Sequence, residues 1–167
     1  HRIAWLLILM FSATITGTII TRYENAFAAI PLLVSFIPML MDTGGNCGSQ
    51  SSTLIIRGIA LGEIQFSDLF RVMFKEFRVS LIVGVALALA NGIRILIMYK
   101  NAGLALVIGL SLVATIVISK LIGCVLPLIA KKLHMDPAIM ASPLITTLVD
   151  TCSILIYFNI ATQVFQL

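Results

Sequence analysis

The chain has 167 residues, of which 60% are hydrophobic and only 11% charged, with a formal net charge of +4, and its mean hydropathy is +1.11. Soluble domains carry roughly twice that share of charge, so the composition excludes a soluble enzyme or binding domain and indicates an all-α integral membrane protein. At ~20 apolar residues per crossing, the length holds five transmembrane helices with short loops and leaves no room for a regulatory domain as well.

The positive charge does not point to nucleic acid. Lys and Arg collect at the ends of the apolar runs, where lipid headgroups and topology account for them. The cysteines, Cys47, Cys124 and Cys152, form no CxxC pair and sit among apolar or small residues, which reads as free buried thiols. The chain begins at His1 and its first apolar run has no signal-peptide cleavage pattern, so it reads as an excised piece.

The predicted spans are about 3–21, 26–57, 79–98, 103–130 and 138–163, together one transmembrane pore domain over 1–167. The second span contains Pro31 and Pro38 and turns small and polar between Asp42 and Thr53. Between Glu63 and Arg78, charges alternate with Phe66, Leu69, Phe70, Met73, Phe74 and Phe77 at helical spacing, which predicts a short interfacial amphipathic helix on the cytoplasmic face. With the N-terminus inside, Arg2, Arg57, Arg71, Lys75, Arg78, Lys131 and Lys132 flank the inner ends, against Arg22, Arg94 and Lys100 outside. That bias predicts a plasma-membrane protein with a cytoplasmic N-terminus.

Asp150 is the most informative residue. Counting ~1.5 Å per residue from Ala138 puts it roughly 18 Å along the fifth span, near mid-bilayer. A carboxylate there costs at least ~2.5 kcal/mol on insertion scales, which makes it the candidate working residue of a cation path. Pro143, Thr146, Thr147, Ser153 and Ile154 share its side of the helix by three- and four-residue spacing. Pro143 is expected to kink the span, and Asp136-Pro137 reads as its helix opening. The bland alternative for Asp150 is a structural ion pair with Lys120 of the fourth span, whose depth permits it; otherwise Lys120 snorkels to the inner headgroups.

Two readings of the second span stand. Gly44, Gly45 and Gly48 form a small-residue packing face, or the segment is a cavity wall in which Asn46 and Gln50, four apart, offer amide and oxygen groups from one face. Asp42, just before them, is either a second acidic pore residue or a helix-end residue bonded to nearby hydroxyls. With no His or Cys cluster, the donors are carboxylate, hydroxyl and amide oxygens, which suit hard cations. Mg²⁺ keeps several waters and binds through one or two carboxylates. One carboxylate is a weak counter-charge for a divalent ion, whereas two copies of Asp150 across a homodimer axis supply −2.

Two segments carry a family resemblance. Pro38–Glu63, PMLMDTGGNCGSQSSTLIIRGIALGE, holds a GGN-x-G-x-Q-S core, and Asp136–Phe158, DPAIMASPLITTLVDTCSILIYF, holds a DPA…P…TT-x-x-D pattern. Both resemble the membrane domain of the MgtE family of magnesium channels. The resemblance implies a homodimer whose second and fifth helices line one central pore. Asp150 is then similar to the acidic residue that binds hydrated Mg²⁺ there, with Thr146, Thr147 and the Asn46 segment along the lining. No ligand role for Asp42 follows from it. Family members usually carry cytoplasmic N-terminal and CBS domains that sense Mg²⁺, and neither is in this chain, so Mg²⁺-gating is not carried over. The expectation is a Mg²⁺ channel, with a cation-coupled carrier built around a discontinuous second helix as the alternative. A membrane-embedded enzyme is disfavoured, because no His lies in the apolar runs and Asp42 with Asp150 is the only acidic pair at similar depth.

Overall fold

The computed structural model describes residues 2–140 and 142–167. Ala141, which belongs to the predicted fifth span, lies outside the described residues. The described residues form seven α-helices in order: α1 Arg2–Arg22, α2 Glu24–Ala29, α3 Leu32–Ser35, α4 Ile37–Ala60, α5 Leu69–Tyr99, α6 Ala102–Lys132 and α7 Ser142–Phe165. Single 3₁₀ turns, Phe66–Asp68 and Pro137–Met140, precede α5 and α7. No strand occurs among the described residues.

The predicted second span is not one helix. Pro31 drives Ile30 into an extended conformation, φ −135° and ψ 85°. Pro38, by contrast, falls in the first turn of α4, where its missing N–H interrupts no ladder. From there α4 runs unbroken for 24 residues through its glycines.

The predicted interfacial helix also differs in the structure. Gln65 and Asp68 cap the 3₁₀ turn reciprocally, and α5 then runs 31 residues from Leu69 without interruption. No proline stands between the charged stretch and the apolar one, so helical hydrogen bonding carries straight through Arg78. The hairpin that follows is tight: α5 ends at Lys100 in the left-handed region, φ 50°, and the Asn101 side chain accepts from the Leu104 N–H at 3.1 Å to open α6.

Four helical stretches are long and apolar enough to cross a membrane: Arg2–Arg22, Phe66–Tyr99, Ala102–Lys132 and Pro143–Phe165. The helix α4 has comparable length but too many small and polar residues to qualify on hydropathy. It packs instead against both α6 and α7, and α6, which also packs along α5, is the central helix of the bundle. The helix α1 stands apart, buried only at Thr16, whose hydroxyl hydrogen-bonds that of Thr151 on α7 at 2.8 Å.

Two apolar clusters bracket α4. At its N-terminal end Leu33, Leu40, Leu104, Ile108 and Phe158 pack together, and the buried Tyr157 hydroxyl donates to the Leu33 carbonyl at 2.7 Å. At its C-terminal end Ile55 and Ile59 meet Cys124 and Leu128.

Between the clusters, contact is made through glycine. A Cβ on Gly44 would sit 2.7 Å from both Thr115 Cγ2 and Val149 Cγ1. A Cβ on Gly48 would sit 2.7 Å from Ile145 Cγ2 and 3.1 Å from the Ser119 carbonyl oxygen. A Cβ on Gly123 would collide with the Gly48 carbonyl group itself. Backbone therefore lies on backbone where α4 crosses α6, an approach only small residues permit. The substitution Gly123→Ala is expected to cost about 1–3 kcal/mol or more through overpacking, read as a lower Tm of the purified protein in detergent. The control Gly92→Ala, whose added Cβ meets nothing, is expected to leave the Tm unchanged or raise it slightly.

Candidate functional site

The glycine seam fixes which face of α4 is packed. The antiparallel fit of α4 on α7 sets Gly48 against Ile145, Gly45 against Thr146, and Gly44 against Val149 and Ser153. The packing face therefore carries Gly44, Gly45, Gly48, Ser51 and Ser52, all buried. The opposite side carries Asp42, Asn46, Gln50 and Thr53, all exposed. The two sequence readings of this segment fall on different faces: the glycine side packs against α6 and α7, and the side with the amides is uncovered in a single chain. Asn46, Ser49, Gln50, Thr53 and Leu54 line a groove open along the outside of the bundle. The sharing of one face by Asn46 and Gln50 follows from their four-residue spacing.

On α7, Asp150 is half-buried. Asp42 stands on α4 two residues before Gly44, which packs against Val149, the neighbour of Asp150. Thr146 and Thr147 are half-buried and donate to the Pro143 carbonyl at 3.0 and 2.8 Å. Ser153 and Ile154 depart from the predicted strip. Ser153 is buried against Gly44 and donates to the Val149 carbonyl at 2.7 Å, and Ile154 belongs to the apolar core. The polar surface of α7 beside α4 is therefore Thr146, Thr147 and Asp150.

Pro143 does not kink a span. The helix α7 starts at Ser142, so Pro143 occupies its first turn, where no intrahelical hydrogen bond is lost. The opening function moves upstream: the Asp136 side chain accepts from the Ala138 N–H at 3.0 Å, and its carbonyl accepts from Ile139, which starts the 3₁₀ turn. Asp136 is thus a cap, as its position before Pro137 predicts, but of the 3₁₀ turn and not of α7 itself.

The ion pair proposed as the bland fate of Asp150 does not form. Lys120 faces α4 and α5 instead. Its Nζ lies 3.6 Å from Glu76 Oε2 and donates to Ser51 Oγ at 3.3 Å, while the Ser51 hydroxyl donates to Glu76 at 2.6 Å. All three residues are buried. Lys120 does not snorkel either, because its amine is held between these two oxygens. Removing one partner from such a buried pair costs about 3–5 kcal/mol, so the amine is committed there and does not serve Asp150.

This triad is not evident from the sequence, which assigns Glu76 to an interfacial helix. A signal is nevertheless present: Glu76, Ser80 and Gly84 recur every fourth residue, and all three are buried on one side of α5. A polar-to-small stripe in an otherwise apolar helix marks the side that faces protein.

Among the described residues no three His, Cys, Asp or Glu side chains converge on one point. The oxygen set on α4 and α7 comprises two carboxylates, two threonine hydroxyls and two amides spread along the helices. Such a set suits an ion that retains much of its own water.

The MgtE family model, described as a divalent cation transporter, matches residues 37–160. That stretch contains all of α4, the triad and Asp150. The chain is also similar to proteins named magnesium transporter MgtE from three bacteria. It is 40% identical over 162 residues to that of Bacillus subtilis, covering 97% of this chain and 36% of the relative. For Thermus thermophilus the identity is 36% over 161 residues, 96% of this chain and 35% of the relative. For Enterococcus faecalis it is 34% over 162 residues, 97% of this chain and 36% of the relative. The chain spans about a third of the length of these curated relatives. The matched stretch, the identities and the helical membrane architecture together place this chain in the MgtE family of divalent cation transporters.

Proposed function

We propose that this chain is the ion-conducting part of a Mg²⁺ channel of the plasma membrane. In this reading two copies pair so that α4 and α7 of each line one path, five helices of each copy (α1, α4, α5, α6 and α7) cross the bilayer, the N-terminus lies in the cytoplasm, and Asp150 is the main ion-binding carboxylate. One observation carries the reading: Asp150 is only half-buried, while the buried lysine that could have neutralised it is held by Glu76.

The uncovered side of α4 supports a paired arrangement. Asp42, Asn46, Gln50 and Thr53 are exposed on a single chain, and such groups are expensive against acyl chains. A second copy, with water between the two, satisfies them. It also brings a second Asp150, and the doubled charge answers a divalent ion. The fully hydrated or partly hydrated cation then meets amides at Asn46 and Gln50, hydroxyls at Thr146 and Thr147, and the carboxylates, with Asp42 adding charge at the level of Asp150. Pro143, exposed in the first turn of α7, would stand near one end of this lining. The relatives are named as magnesium transporters, and the oxygen donors suit that ion. The role is transport and not catalysis.

A second reading, a carrier with alternating access, draws on the break between α2, α3 and α4, since carriers often build ion sites at interrupted helices. The interruption lies at the N-terminal end of α4, however, and α4 is continuous past Asp42, Asn46 and Gln50, which favours the channel. Single-channel recording separates the two: unitary currents far above carrier turnover support the channel, and their absence in a preparation with measurable flux supports the carrier.

Asp150→Asn is expected to lower Mg²⁺ uptake into proteoliposomes by on the order of ten-fold, equivalent to ~1.4 kcal/mol, and to abolish any Mg²⁺-dependent rise in Tm. Uptake and Mg²⁺-stabilisation like those of the parent would show the assignment to be wrong. Asn46→Ala and Gln50→Ala, at exposed positions, are expected to reduce uptake several-fold without lowering the Mg²⁺-free Tm; a lowered Tm with normal uptake would mean these residues support the fold instead of the path.

A further inference from the structure

The packing face of α4 poses a mechanical problem. Gly44, Gly45 and Gly48 on one helix and Gly123 on another give close approach, but glycines have no side chains to interlock. The side chains that lie against them, Thr115, Ile145 and Val149, make non-directional apolar contact, which resists separation better than it resists sliding or rotation. One helical turn of slip is ~5.4 Å and one residue of rotation is ~100°, and either would carry Asn46 and Gln50 off their face and Asp42 away from the level of Asp150.

The Glu76–Ser51–Lys120 cluster supplies what the seam lacks. It joins α4, α5 and α6 through directional contacts, with 2.6 Å from the Ser51 hydroxyl to Glu76, 3.3 Å from Lys120 to Ser51 and 3.6 Å between the charged groups. Relative exposures are 0% for Ser51, 9% for Glu76 and 7% for Lys120. Ser51 follows Gln50 directly and lies roughly 120° around α4 from the Asn46–Gln50 face. A buried ion pair seldom adds stability over apolar packing of the same volume, and its best-attested use is to specify register.

We infer that this triad is the register key of α4, and that Ser51, Glu76 and Lys120 are positioning residues for the ion path, acting through the side of α4 they do not touch. The inference rests on the channel reading of α4 and α7. Its test replaces the ionic key by apolar volume in the full chain, E76M/K120M, beside the charge-swapped E76K/K120E. The measurements are Mg²⁺-free Tm, Mg²⁺ uptake in proteoliposomes and the Mg²⁺ concentration that gives half of the Tm rise.

The expected result for E76M/K120M is a Mg²⁺-free Tm close to the parent's, uptake down several-fold and a several-fold higher half-saturating Mg²⁺. E76K/K120E is expected to recover part of both losses. Parent-like uptake and Mg²⁺ response in E76M/K120M overturn the inference. Should that variant not fold, Lys120→Arg decides: it keeps the charge but moves the donors, so reduced uptake at unchanged Tm supports the key and unchanged uptake overturns it. Asp150→Asn run in parallel separates the failures, since parent-like uptake there removes the channel reading itself, whatever the triad variants do.

Discussion

Everything in this bundle depends on α4 being able to lie directly on α6. At the crossing, Gly123 faces the backbone of Gly48 so closely that a single added carbon has no room. In a membrane, where the hydrophobic effect does not press apolar helices together, association rests on van der Waals fit and polar links. The glycines let α4 sink between α6 and α7 despite a sequence too polar to be stable against lipid. Having buried its small residues on one side, the helix presents Asp42, Asn46, Gln50 and Thr53 on the other. One constraint thus gives both the packing and the polar face.

Charge allocation follows from the same geometry. Two acids, Asp42 and Asp150, lie on the α4–α7 side of the bundle, and an acid with a base, Glu76 and Lys120, on the α4–α5–α6 side. The base is saturated by Glu76 and Ser51. It is therefore not the partner of Asp150, and a carboxylate deep in an apolar span is costly to keep. The side of α4 held by the Glu76–Lys120 pair and the side that carries Asp42 are distinct, so in the proposed reading the carboxylate that holds the fold is not one of those that meet the ion.

Much of this is legible in the residues alone. The apolar runs, the capping turn at Asp136, and the common face of Asn46 and Gln50 follow from composition, from local capping chemistry and from three- and four-residue spacing. Asp150 stands out because a carboxylate deep in an apolar run is rare. Where sequence and structure part, the reasons are identifiable. Pro31 breaks the second run early, and the helix proper begins at Ile37. The start of α7 lies at Ser142, which moves Pro143 from a kinking to an initiating position. Ser153 turns inward because α4 comes close enough at Gly44 to cover it, and Ile154 joins the apolar cluster at the N-terminal end of α4. The partner of Lys120 is beyond the reach of sequence: depth counting allows Asp150, but the choice between Asp150 and Glu76 depends on which way α6 is rotated, and that is fixed by tertiary contact with α4 and α5.

The central claim is that Asp150 faces an aqueous path and not a neighbouring amine. Cysteine accessibility measures this directly. In a background with Cys47, Cys124 and Cys152 replaced by Ala, Asp150→Cys and, as a comparison, Ile82→Cys on the exposed apolar side of α5 would be reconstituted in liposomes and treated with a charged, water-soluble thiol reagent. The account predicts rapid modification at position 150, slowed by Mg²⁺ in a protein that retains Asp42, and little at position 82. Slow, Mg²⁺-insensitive labelling at position 150, no faster than at position 82, would contradict it.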